Sequence, residues 1–314
     1  MKPEKEGQKQ KSPSKKAEIN VPEKIDMSKI SKEIKAEQIT KQREPIKHLE
    51  TTEVVKPKGE KEKQKFKKIF VKTGVPGFDD LFDEGIPKGS TILIAGGAGS
   101  GKTILCLQTL AYNSSNGKKC LCMSFEEREE RLIEHMKDFD WKPENLIKKK
   151  LLKIQRMNPF DITRNVDALL AEEKGELLIK IDPVILPKDF KPDFVVLDSL
   201  TAIASAFTGK EENYRVYIEK LFRFFEKMHA TVFLITETEQ IPKIFSKSGV
   251  EEFLADGVIV LYNIKHGNIR EKAIEVLKLR GAGHQKKIVA MQITGQGIVV
   301  YPEQEVFESI EEGE

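Results

Sequence analysis

The sequence predicts an α/β fold: a mainly parallel sheet with helices on both faces and a few antiparallel strands added at one edge. Three observations predict it. Short continuous runs of β-branched and aliphatic residues, such as "TILIAG" and "FVVL", suit strands buried on both faces. These runs alternate with segments whose apolar residues recur at helical spacing, the order that builds a parallel sheet. After "GVEEFLAD" the helical segments stop, and the remaining apolar runs are joined by Gly-containing turns, as in hairpins.

The first 68 residues stand outside that pattern. They carry 19 Lys and one Arg against 12 Asp and Glu, a net +8, and Phe66 is their one aromatic residue. Such a segment cannot bury enough apolar area to offset the roughly 1–2 kcal/mol per residue that ordering a backbone costs. Residues 1–68 are therefore expected to be a disordered basic tail. Lys mixed with Glu, without interleaved aromatics or Arg, reads as solvated rather than as a nucleic-acid arm. A helical piece around Met27, Ile30, Ile34 and Ile39 would need a partner to persist.

From Ile69 onward the elements follow in order. "STILIAGG" is a buried strand ending in glycine, and "GKTILCLQTLAYNSSNG" is a helix with Ile104, Leu105, Leu107, Leu110 and Ala111 on its apolar face and Gly117 as its stop. Strand "KCLCMSF", helix "EEREERLIEHMKDF" and strand "LLKIQRM" come next, then a longer variable region to about Pro192. Strand "DFVVLDSL", helix "NYRVYIEKLFRFFEKMH" and strand "ATVFLITE" complete the alternating part. "GVIVLYNIKHG", "REKAIEVLKLRG" and "KKIVAMQITGQGIVVYP" supply the antiparallel edge, and an acidic tail over residues 304–314 is expected to fray.

Composition narrows the function classes. No apolar run approaches the 18 residues of a membrane span and the N-terminus lacks a signal-peptide core, so the reading is a cytoplasmic protein with no membrane partner. Cys106, Cys120 and Cys122 lie in apolar surroundings without a spaced framework, which suits reduced core thiols rather than disulfides or a zinc site.

The chemistry begins at "GGAGSGKT", Gly96, Gly97, Ala98, Gly99, Ser100, Gly101, Lys102 and Thr103, which fits G-x-x-x-x-G-K-[ST]. Its glycines allow successive N–H groups to turn around an anion, and the helix that follows adds its positive end. Placed between a buried strand and a helix, the pattern predicts a nucleotide triphosphate site in which Lys102 reaches the β- and γ-phosphates and the Thr103 hydroxyl binds Mg²⁺. A second metal carboxylate should end another buried strand, and Asp198 in "FVVLDSL" does so, meeting Mg²⁺ through water. Hydrolysis also needs a group to activate water. Glu126 and Glu127 follow strand "CLCMSF" at the end where parallel sheets bind ligands. Two readings are open for them: one supplies the general base, or both belong to the charged first turn of the next helix.

Through "KTGVPGFDDLFDEGIPKGSTILIAGGAGSGKT", "MSFEE", "FDW", "VVLDSL", "SGVEEFLADGVIVL", "LKLRGAGH" and "ITGQGIVVYP", the chain resembles a single KaiC-type domain of the RecA superfamily. That superfamily includes the ATPases of the cyanobacterial clock protein and their archaeal KaiC-type and RadA-like relatives. The resemblance covers roughly residues 69–303 and implies a RecA-like nucleotidase core that binds ATP and Mg²⁺. It makes Glu126, with Glu127 beside it, the water-activating site. Its K-x-R-G-x-x-H motif matches Lys278, Arg280, Gly281 and His284, which from the residues alone read as a solvated turn. By the resemblance, Lys278 and Arg280 cross a subunit boundary to the γ-phosphate of a neighbour's ATP, which implies a homo-oligomer, by analogy a hexameric ring. Thr236 and Glu237 match a γ-phosphate-sensing pair. Where the clock protein's second domain carries a phosphoacceptor pair, this chain has Glu252 and Phe253, so autophosphorylation of that kind is not expected.

Three functions follow from these residues. The first is a Mg²⁺-dependent ATPase whose active site is completed between subunits. The second is a DNA-dependent recombination accessory, which would draw on the basic tail and on Lys243, Phe245 and Lys247 in "EQIPKIFSKSG". The third is an ATP-gated scaffold with little turnover, whose N-terminal tail recruits a protein client.

Overall fold

The computed structural model describes residues 68–162, 182–184, 186–246, 248–266 and 268–306. They belong to one unit, Lys65–Glu314. The basic tail, most of the variable region after "LLKIQRM", Lys247 and the end of the acidic tail lie outside the described residues.

Phe70–Val71 (β1) and Ile86–Pro87 (β2) pair antiparallel in a small ribbon around a 3-10 turn, Asp79–Leu81. The large sheet starts at Thr91–Gly96 (β3), which feeds helix Lys102–Ser115 (α1). Cys120–Ser124 (β4), Glu129–Asp138 (α2), Pro143–Lys148 (α3) and Leu152–Arg156 (β5) come next. Phe194–Asp198 (β6), Leu200–Ser205 (α4), Glu211–Met228 (α5), Thr231–Glu237 (β7) and Glu251–Leu254 (α6) follow. Strands Gly257–His266 (β8), Ile269–Leu279 (β9), Val289–Thr294 (β10) and Gly297–Glu305 (β11) close the chain.

The nine strands lie in the order β11-β10-β9-β8-β3-β7-β6-β4-β5. From β5 to β8 every neighbouring pair is parallel, and from β8 to β11 every pair is antiparallel. The predicted mainly parallel sheet with an antiparallel edge is thus present. One detail differs: β8, read with the antiparallel set, pairs parallel to β3 on one side and antiparallel to β9 on the other. The connection from β7, residues 238–256, is long enough to return the chain for one more parallel strand, but its one helix, α6, is too short to show as a helical period in sequence. The last strand also runs to Glu305, two residues into the stretch expected to fray.

Alternation of side chains sorts the core onto the two faces of the sheet. Ile92, Ile94, Cys120, Cys122 and Val196 pack with α1 and α2, whereas Leu93, Leu121, Met123, Val195 and Leu197 pack with α4 and α5. α5 presents Tyr214, Tyr217, Ile218, Leu221, Phe222 and Phe225, all buried, at the i, i+3, i+4, i+7 spacing of a single stripe. Each such side chain contributes about 1.5–3 kcal/mol by leaving water. All three thiols are free and buried, as expected of core residues. No helix among the described residues is long and apolar enough to cross a membrane.

After β3 the chain skips over β7 and β6 to enter β4, so a crevice opens beyond the carboxyl ends of β3, β6 and β4, where ligands bind in such sheets.

Candidate active site

The residues from Gly96 to Thr103 fill this crevice. β3 stops at Gly96, where an added Cβ would lie 2.4 Å from the backbone oxygen of Leu261 on β8. Gly99 and Gly101 have φ of +72° and +106°, the left-handed region that side chains disfavour. α1 then begins at Lys102 with no side-chain cap, so its first amides have no partner from a capping residue.

Lys102 is buried and its ammonium folds back onto the loop, donating to the Gly96 oxygen at 2.9 Å and the Gly97 oxygen at 3.1 Å. Burial lowers its pKa, while the carboxylates of Glu237, Asp198 and Glu126 act in the opposite sense. Thr103 donates its hydroxyl to Asp198 Oδ2 at 2.9 Å, joining two residues 95 positions apart. Asp198 ends β6 and is almost fully enclosed. Its carboxyl is pushed up to about 7, chiefly by burial and in smaller part by Glu126 and Glu127, against the lowering effects of the Thr103 hydrogen bond and Lys102.

The two glutamates after β4 part company. Both precede α2, whose N-cap is Arg128, so neither sits in that helix's first turn. Their amides donate to the Ser124 hydroxyl. Glu126 turns towards β6 and accepts the hydroxyl of Ser199, the residue after Asp198. Glu127 turns to α2, 3.1 Å from Arg131 and 3.8 Å from His135. Both line a cleft of about 380 Å³ together with Gly99, Lys102, Thr103, Asp198 and Glu237. Thr236 is buried in β7, and Glu237 at its exposed end stands beside Gly96 in register.

Lys278 and Arg280 are elsewhere. β9 pairs with β8 so that Leu279 faces Gly257, and Gly257 faces Ile92 at the start of β3. That is four residues, about 13 Å, from the loop end of the strand. There Lys278 donates to the oxygens of Glu252 and Ala255, and Arg280 to that of Phe253, filling the carboxyl end of α6. Within one copy the structure does not bring these two residues to the cleft. His284 forms an isolated bridge with Phe82, also away from it. Of the residues expected to contact DNA, Phe245 instead packs against the core on the α4–α5 face of the sheet.

Sequence reasoning missed four residues at this site. Ser199 holds Glu126, and Gln240, Asn263 and Lys272 donate to the outer oxygens of the loop. Two had a visible signal, the Ser directly after Asp198 and an Asn inside the apolar run "VIVLYNIK".

A family model described as "ATPase: KaiC" matches residues 71–305. The chain is 31% identical over 239 residues to the circadian clock oscillator protein KaiC of Parathermosynechococcus lividus, covering 73% of this chain and 42% of that protein. It is 32% identical over 234 residues to the circadian clock protein KaiC3 of a Synechocystis species, covering 74% of this chain and 45% of that one. The chain thus spans less than half the length of these curated relatives. Among solved structures, a KaiC-like protein of the hyperthermophilic archaeon Pyrococcus horikoshii OT3 superposes with a TM-score of 0.61 at 30% identity, covering 75% of this chain and all of that one. With a RecA-like sheet, a glycine-rich loop at its switch point and a family match over about three quarters of its length, the chain belongs to the KaiC family of ATPases.

Proposed function

We propose that the cleft binds ATP with Mg²⁺ and hydrolyses it, and that the site is completed by Lys278 and Arg280 of a neighbouring copy. The observation that carries this reading is the Thr103–Asp198 hydrogen bond, which puts the loop's hydroxyl and a strand-end carboxylate side by side in the lining of the cleft.

The donors fit magnesium. They are oxygens, one hydroxyl and one carboxylate, and no group of three or more His, Cys, Asp or Glu among the described residues could hold a metal unaided. Mg²⁺ is usually bound by one or two protein oxygens, with phosphates and water completing its shell. Thr103 and Asp198 would hold it, Asp198 giving up the proton that burial favours. When bound, it neutralises charge on the β- and γ-phosphates.

The chain's own residues divide the remaining work. Lys102 exchanges its two carbonyl partners for phosphate oxygens, a stronger charge-assisted bond. Glu126, held by Ser199, orients the attacking water and accepts its proton, whereas Glu127 is committed to Arg131. Lys278 and Arg280 cannot reach the cleft of their own chain, so a head-to-tail neighbour must supply them, and such contacts close into rings when the rotation permits. A cation inserted in this way contributes about 10³ to 10⁵ in rate.

An ATP-gated scaffold with slow turnover is the second reading. It is favoured by the Ser199 bond, which occupies one oxygen of Glu126. The test is phosphate release with Mg²⁺ and with a chelator, alongside nucleotide titration of the parent and Lys102→Ala. The first reading requires Mg²⁺-dependent release and binding weakened about 100-fold in the variant. Mg²⁺-dependent binding without release would select the scaffold, and undiminished binding by Lys102→Ala would remove both.

A further inference from the structure

A loop whose amides turn inward to an anion must turn its carbonyls outward, and outward carbonyls need donors. Here those donors can be followed one by one. The Gly96 oxygen accepts the Thr238 amide at 3.1 Å, and the Gly97 oxygen accepts the Ser100 amide at 3.2 Å, so both keep a partner if Lys102 leaves them. The Gly101 oxygen accepts the Leu105 amide at 2.9 Å as α1 begins. At the apex, the Ala98 and Gly99 oxygens are served by side chains. Gln240 Nε2 reaches Ala98 at 3.1 Å, Asn263 Nδ2 reaches it at 3.3 Å, and Lys272 Nζ donates to Gly99.

The register of the antiparallel edge explains the last two. β8 pairs with β3 only from Gly257 to Leu261, opposite Gly96, and then continues to His266. Its second half, with β9 beside it, therefore overhangs the loop. Asn263 faces Lys272 across that overhang, so the two side chains share one face and reach adjacent loop residues. Asn263 is buried within an apolar run and Lys272 is half-buried, with its pKa lowered by burial and then by Arg270. A cation kept there despite that cost has a specific partner.

We propose that Asn263 and Lys272 of the β8–β9 overhang, with Gln240, are positioning residues that preorganise the loop for a polyphosphate by holding the Ala98 and Gly99 carbonyls outward. This rests on the reading of the loop as an ATP site. The clamp leaves the base and ribose untouched, so it acts on any polyphosphate the loop can hold. Its loss lets the loop sample conformations that cannot bind, and affinity falls by the competent fraction.

The test is calorimetric titration of the full-length protein with ATP and with inorganic triphosphate, for the parent and for Lys272→Met, Asn263→Leu, Gln240→Ala, Lys272→Arg and Lys102→Ala. Melting temperatures are recorded for each, and the titrations are repeated at high salt. Lys272→Met and Asn263→Leu are expected to weaken both ligands about 10-fold with the melting temperature held, Gln240→Ala less, and Lys272→Arg to restore affinity to within about 2-fold. The Lys272→Met defect should persist at high salt, where a through-space charge effect would be screened. If Lys102→Ala weakens binding while Lys272→Met and Asn263→Leu do not, the clamp is refuted and the ATP site stands. If Lys102→Ala has no effect, the site reading itself fails. Should either overhang variant lose its fold, Gln240→Ala and Lys272→Arg decide: parental affinity in Gln240→Ala combined with a full defect in Lys272→Arg would overturn the proposal.

Discussion

Glu126 and Glu127 are neighbours in sequence, yet only Glu126 is turned to the β6 end, by the Ser199 hydroxyl, while Glu127 pairs with Arg131. Glu126→Gln is therefore expected to bind ATP as the parent does and to release phosphate about 10²- to 10⁴-fold more slowly, as for loss of a general base. Glu127→Gln should fall short of that loss, and phosphate release beside nucleotide titration separates the two. Gly96→Ala places a methyl 2.4 Å from the Leu261 oxygen. Moving that backbone should destabilise the fold by about 1–3 kcal/mol, measurable by denaturant unfolding. At this scale the spacing of Gly96, Gly101, Lys102 and Thr103 made the loop legible. Asp198 was legible because four apolar residues precede it. The split between the two glutamates was not, since it depends on Ser199 arriving from another strand. Gln240 and Lys272 were hidden for the same reason, and Asn263, though marked as a polar residue in an apolar run, had no visible partner: the partners are backbone oxygens brought close only by the fold.

Elements with a long apolar signal could be read directly. β3, β4, β6 and β7 are continuous buried runs, and α5 carries a full stripe of apolar residues. The short pieces α3, α4 and α6 and the two-residue strands β1 and β2 gave no period to detect. α6 is held by partners distant in sequence. Glu251 is buried at its start and accepts the hydroxyls of Tyr214 on α5 and of Ser248, both at 2.6 Å. Tyr214→Phe removes one of these donors from an enclosed carboxylate. It should cost about 1–3 kcal/mol of unfolding free energy, read from the denaturation midpoint. Because α6 also receives Lys278 and Arg280, the same variant should lower phosphate release more than it lowers ATP binding.

Across the whole molecule, burial pushes Cys120 up to about 12 and raises Cys106 and Cys122 well above the ordinary thiol range. In the unfolded chain these thiols ionise near ~8.5, so above that pH the unfolded state releases protons that the folded state keeps. Stability should fall as pH rises from about 8.5 towards 12, and Cys122→Ala should flatten that decline in denaturation curves taken at pH 8 and 10. The core placement of the thiols was readable from their apolar neighbours. The separation of Lys278 and Arg280 from the loop was not, because it follows from which strands pair and in what register. On the proposed reading, it is also what makes assembly part of the chemistry. Mixing Lys102→Ala with Arg280→Ala, each expected to be inactive alone, creates junctions in which an intact cleft meets an intact Arg280. Random head-to-tail assembly of an equal mixture should restore phosphate release to about a quarter of the parental rate per site. Release by the mixture no greater than the average of the two variants alone, with mixed assembly verified by mass, would contradict a site completed between copies.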